Sequence, residues 1–170
     1  MTRHYLVLGG ARSGKSRHAE DLARSHQGER IYIATAEPGD EEMRARIARH
    51  RQQRGVGWRT VEEPLRLTDV LKRECGAGRF ALLDCLTFWI SNLMLQGEKV
   101  EPAIGQLCEL VPRLEGTLVI VSNEVGLGIV PDNELARRYR DEAGFANQQL
   151  AAVCDEVVFM VAGLPVKLKG

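Results

Sequence analysis

Gly9-Gly10-Ala11-Arg12-Ser13-Gly14-Lys15-Ser16 decides the fold. The stretch follows the pattern G-x-x-x-x-G-K-[ST], a phosphate-binding P-loop. Ahead of it, Tyr5-Leu6-Val7-Leu8 is a short apolar run that reads as a buried strand. Behind it, residues 16–26 contain no Pro or Gly and read as a helix. Glycines let successive backbone N–H groups turn inward around an anion. The helix N-terminus adds unpaired donors and a partial positive charge. Lys15 is the cation that reaches the β and γ phosphates, and the Ser16 hydroxyl is a ligand for Mg²⁺.

Outward from this loop the pattern repeats. Strands are expected at residues 4–9, 30–35, 58–62, 80–84, 117–122 and 156–161, with a last one at 166–168. Helices are expected over 15–27, 41–54 (capped by Asp40), 64–74 (opened by Pro64), 87–96, 100–114, and from Asp132 to about Cys154. The strand cores are apolar runs rather than alternating patterns. That is the mark of an α/β fold with a mostly parallel sheet and helices on both faces. Ligands on such sheets sit at the carboxyl ends of the strands. The loops after residues 9, 35, 84 and 122 should therefore converge on one site.

With 170 residues the chain fits one domain, 1–170, able to bury roughly 70% of its unfolded surface. No internal repeat, low-complexity tract or linker interrupts it. Hydrophobic residues make up 44% and charged ones 27%, and the formal net charge is zero. A neutral chain lacks the basic field that a nucleic-acid partner wants. The four cysteines stand far apart without a C-x-x-C pair, as in buried free thiols of a reducing compartment. The first residues run straight into a strand rather than a signal peptide, and no apolar run has membrane-spanning length. The expected location is the cytoplasm.

Four features beyond the P-loop carry chemistry. Phe80-Ala81-Leu82-Leu83-Asp84 is an apolar strand ending in an acid, the Walker B pattern that holds Mg²⁺ against phosphates. The bland reading of Asp84 is a helix cap. The 41–54 helix bears Arg44, Arg46, Arg49, Arg51 and Arg54. They form either a solvated face or, at the carboxyl end of a strand, a clamp for phosphate or an acidic substrate. His50 shares a stripe with Met43 and Ile47. It is either a core histidine or a nucleophile near the phosphates. Asn123-Glu124-Val125-Gly126-Leu127-Gly128 closes the most apolar strand. Its polar residues either orient a nucleophile or sense a γ-phosphate, or they belong to a loop whose glycines merely allow the turn.

Taken together, GGARSGKSRHAE (9–20), YIATAEPGDEEMRARIARHR (32–51), WRTVEEP (58–64), LLDCLTFWISNL (82–93), SNEVGLGIVPDNELARRYRD (122–141) and VAGLPVKLKG (161–170) carry a resemblance over nearly the whole chain. The sequence resembles the bifunctional adenosylcobinamide kinase / adenosylcobinamide-phosphate guanylyltransferases of cobalamin biosynthesis. The resemblance implies a RecA-like P-loop NTPase fold and a homotrimer. It implies that ATP or GTP phosphorylates the aminopropanol hydroxyl of adenosylcobinamide, a corrinoid. GTP then donates GMP to that phosphate through a covalent histidine, at the position of His50. It further implies nucleotide contacts at the loop from Gly9 to Ser16, at Ala34, Thr35 and Ala36, at Arg51, Gln52, Gln53 and Arg54, and at Glu62 and Asp84. Ser16 and Asp84 are the expected metal positions, Lys15 and His50 the expected catalytic ones. Glu124 is a weaker candidate for the kinase base.

Overall fold

In the computed structural model, residues 2–37, 39, 41, 44, 45, 48, 52 and 55–170 are described. One sheet holds seven strands: β1 (Arg3–Gly9), β2 (Arg30–Ala34), β3 (Trp58–Glu62), β4 (Phe80–Asp84), β5 (Thr117–Asn123), β6 (Glu156–Val161) and β7 (Leu164–Lys169). Their order across the sheet is β3-β2-β4-β5-β1-β6-β7. Strands β1 to β6 run parallel, and β7 turns back antiparallel to β6. The helices are α1 (Lys15–Leu22), α2 (Leu67–Glu74), α3 (Leu86–Leu95), α4 (Val100–Leu110) and α5 (Glu134–Val153).

The apolar runs of the strands follow from burial on both faces. Side chains alternate with period two, so each central strand feeds two cores. Leu6 and Leu8, Ile31 and Ile33, Ala81 and Leu83, and Leu118 and Ile120 face α2 to α5. Val7, Tyr32, Leu82, Val119 and Val121 face the other way, where Ala19 of α1 and the adjoining Ala23 pack. The same parity puts Asp84, two residues after Leu82, on the α1 side.

Element ends differ from expectation for local reasons. Helix α1 stops at Leu22 rather than near residue 27; Ala23, Arg24 and His26 each bond three residues back and tighten the chain into turns. Helix α2 begins at Leu67, because the Glu63 carboxylate accepts from the N–H groups of Leu65 (2.9 Å) and Arg66 (2.7 Å) and holds a turn there. Pro112 cannot donate a helical bond, and α4 passes into a 3₁₀ turn at Val111–Arg113. The cap of α5 is Asn133, not Asp132: the Asn133 side chain accepts from Ala136 N at 2.8 Å. Strand β7 is longer than expected. It follows a tight hairpin turn through Ala162 (φ 51°) and Gly163 (φ 81°). In the 41–54 segment, Glu41, Arg44, Ala45, Ala48 and Gln52 are helical and exposed. The expected cap Asp40 lies outside the described residues.

His4 is buried on β1, and neither ring nitrogen has a well-formed hydrogen bond. Burial pushes its pKa below 6.5, against the opposing pull of Asp155. The folded ring is thus neutral where the unfolded one begins to take up a proton. Stability should therefore fall as pH drops through 6.5 toward the lowered folded value, with a slope of up to about 1.4 kcal/mol per pH unit. His4→Leu should flatten the melting temperature between pH 7 and pH 5. Parallel curves for variant and parent would contradict this.

Candidate phosphate-binding site

The site is built where β1 ends. Gly9 (φ 152°) lies so close to its neighbours that a Cβ would stand 2.6 Å from Ser13 Oγ and 2.8 Å from the Met160 carbonyl oxygen. Only glycine fits there. Gly14 (φ 98°) caps α1 in a left-handed conformation that leaves the helix's first N–H groups facing the loop. The loop is supported from behind by the β6–β7 turn: Gly163 N–H donates to the Ser13 carbonyl at 3.0 Å. Ala11 and Arg12 are exposed, Lys15 is buried, and the Lys15 ammonium donates to the Gly10 carbonyl at 2.6 Å. The cation therefore already lies across the loop that would receive phosphate.

Strand β5 separates β1 from β4. At roughly 4.8 Å per strand, Asp84 starts about 10 Å from the P-loop strand. Helix α1 closes that gap: Ser16 Oγ donates to Asp84 Oδ2 at 3.2 Å. The Tyr32 hydroxyl, from β2, donates to the same oxygen at 2.9 Å. Asp84 does not cap α3. The cap position is Cys85, with no side-chain capping bond. Register sets Glu62, Ala34, Asp84 and Val121 at one level across β3, β2, β4 and β5. The carboxyl ends thus converge as expected.

Thr35 plays a different part from an open contact. It is fully buried, and its hydroxyl donates to the Cys85 carbonyl (2.7 Å) and accepts from Cys85 N–H (2.9 Å). The Asn92 amide donates to the Thr35 carbonyl at 2.8 Å. Thr35 therefore clamps the ends of β2 and β4 together, while half-buried Ala34 and Ala36 flank it. Asn123 donates to Thr87 Oγ1 at 2.7 Å. Below it, Ser122 donates to Asn147 on α5 at 2.7 Å. Glu124 N–H donates to the Gly9 carbonyl at 3.0 Å, tying the β5 loop to the P-loop. One Glu124 carboxylate oxygen accepts from Gly126 N–H at 2.5 Å. Glu62 is exposed at the end of β3, and Gln52 is exposed on its helix. His50, Arg51, Gln53 and Arg54 lie outside the described residues.

Tyr32, Thr87, Asn92 and Asn147 were not singled out from the sequence. Tyr32 reads as one more apolar strand residue, and the others as helix interior; only their pairing across the sheet reveals them. Ser16 and Asp84 form a hard-oxygen pair that suits Mg²⁺, which takes one or two protein oxygens and completes its shell with phosphate and water. Among the described residues no group of three or more His, Cys, Asp or Glu side chains could hold a metal ion. The four cysteines are free thiols. Burial pushes Cys85 up to about 11, Cys75 and Cys154 up to about 12, and Cys108 upward as well, so none is poised as a thiolate nucleophile.

The family model described as cobinamide kinase / cobinamide phosphate guanyltransferase matches residues 5–168. The chain belongs to this family. It is 52% identical to the bifunctional adenosylcobalamin biosynthesis protein CobP of Pseudomonas aeruginosa, over 97% of this chain and 96% of that protein. It is 42% identical to the bifunctional adenosylcobalamin biosynthesis proteins CobU of Escherichia coli and Salmonella typhimurium, over 96% of this chain and 98% of each. Among solved structures, a prototypical ATPase from the type III secretion system of pathogenic bacteria superposes with a TM-score of 0.60 at 11% identity. That match covers 97% of this chain but 56% of the ATPase, so the two share a fold. No helix among the described residues is long and apolar enough to cross a membrane.

Proposed function

We propose that this family member phosphorylates the aminopropanol hydroxyl of adenosylcobinamide with ATP or GTP, then transfers GMP from GTP to the new phosphate. The observation that carries this reading is the P-loop with Lys15 across it and Ser16 set against Asp84, in a chain that matches the family from residue 5 to 168.

Nucleotide phosphates lie in the cradle from Gly9 to Ser16, where backbone N–H groups and the Lys15 ammonium meet their charge. Ser16 and Asp84 would hold Mg²⁺, which when bound neutralises phosphate charge. In the kinase step the acceptor hydroxyl attacks the γ phosphorus, the nucleoside diphosphate leaves, and Glu124 is the candidate to take the proton. Positioning and charge neutralisation supply most of that step. In the guanylyl step neutral His50 attacks the α phosphorus and pyrophosphate leaves. A phosphate oxygen of the corrinoid ester then displaces the imidazole and gives adenosylcobinamide-GDP. Arg51 and Arg54, with Gln52 and Gln53 between them, steady the nucleotide, as do Ala34, Thr35, Ala36 and Glu62. The working form is a homotrimer of single-domain chains in the cytoplasm.

The test is product analysis. Protein, adenosylcobinamide, GTP and Mg²⁺ are incubated and sampled by mass spectrometry. The phosphate ester should appear first and the GDP derivative after it. The ester alone would leave a small-molecule kinase; neither product would overturn the reading.

A further inference from the structure

We propose that Tyr32 is a positioning residue that fixes the Asp84 carboxylate for the metal–nucleotide complex. The inference rests on the reading of Asp84 as the acid that serves Mg²⁺.

The geometry is specific. Asp84 Oδ2 accepts two hydroxyl bonds, from Tyr32 at 2.9 Å and from Ser16 at 3.2 Å. Two donors on one oxygen pin the rotation of a carboxylate that stands at the end of its strand. They come from different elements: Ser16 from α1 and Tyr32 from β2. Ser16 also belongs to the phosphate cradle and must keep a lone pair for the cation. Tyr32 stands outside the cradle, on β2, so its bond to Asp84 is made from a different element than the one that receives phosphate.

Tyr32 is itself held. It is buried on the α1 side of the sheet, with its ring edge-on to Trp58 at 6.4 Å and 88°. Trp58 in turn stands edge-on to Phe80 at 6.0 Å and 79°. These rings fix the phenol without needing its hydroxyl, so Tyr32→Phe keeps the packing and removes the hydroxyl that donates to Asp84. Period-two alternation is what lets the two meet. Tyr32 and Asp84 both point to the α1 side from adjacent parallel strands, two positions out of register, since Ala34 pairs with Asp84.

The experiment measures affinity for a fluorescent GTP analogue by anisotropy, with and without Mg²⁺, in the parent, Tyr32→Phe, Asp84→Asn and the double variant. Metal-free affinity should be the same in the parent and Tyr32→Phe. The gain in affinity on adding Mg²⁺ should shrink by about tenfold in Tyr32→Phe, the scale of one hydrogen bond to a charged group. In the Asp84→Asn background the second change should add nothing, because Tyr32 acts through Asp84. A normal Mg²⁺ gain in Tyr32→Phe, with the gain lost in Asp84→Asn, would overturn the role of Tyr32 alone. A normal gain in Asp84→Asn would overturn the reading of Asp84 and the proposal with it. Equal loss with and without Mg²⁺ in Tyr32→Phe would mark a general packing defect and reject positioning.

Discussion

Lys15→Ala is expected to lower both phosphoryl and guanylyl transfer by about a hundred- to a thousandfold. Lys15 is buried and its ammonium lies against the Gly10 carbonyl, inside the loop. Alanine removes the cation at the point where both reactions place phosphate charge. The loop backbone survives, because Gly9, Gly14 and the Gly163 bond to Ser13 define its path. Initial rates of both steps, measured with an unchanged circular dichroism melt, would check this. Loss of one step with the other intact would mean that the two reactions use different phosphate sites.

His50→Ala should divide the reactions. Removing a covalent nucleophile costs on the order of 10⁴-fold or more. Guanylyl transfer should fall by that much, while γ-phosphoryl transfer to the corrinoid hydroxyl persists within about tenfold, since that step needs cradle and cation rather than imidazole. Burial raises all four thiols above their ordinary range, which disfavours each of them as the nucleophile. Assaying the second step with pre-formed adenosylcobinamide-phosphate isolates the guanylyl activity. Parallel loss of both activities would return His50 to a structural role.

Much of this arrangement was legible in the sequence. The loop from Gly9 to Ser16 and the apolar run ending in Asp84 are the two segments that the structure brings together at Ser16 and Asp84. Apolar strand cores separated by helices gave the parallel sheet. Contacts that join distant segments were not legible. Tyr32 looks like strand filler until β2 lies beside β4. Gly163 meets Ser13 only because β6 pairs with β1, and no local pattern announces a bond between residues so far apart. One element end differed where two neighbours offer equal chemistry: Asp132 and Asn133 are both good caps, and it is the Asn133 side chain that accepts from Ala136 N. Thr35 was implied as a nucleotide contact by resemblance, yet its hydroxyl is spent joining Asp84-Cys85 to β2. Any effect of Thr35 on a bound nucleotide would pass through the backbone it holds.

In the proposed mechanism one phosphate cradle serves two transfers, the second through a covalent histidine. Labelling tests it most directly. The purified protein and Mg²⁺ are incubated with α-³²P GTP or, separately, with γ-³²P GTP, then denatured. Label should be retained from the α position only, labile to acid, stable to base and absent from His50→Ala. No α label, while adenosylcobinamide still gains γ label, would contradict it and leave a kinase without guanylyl transfer.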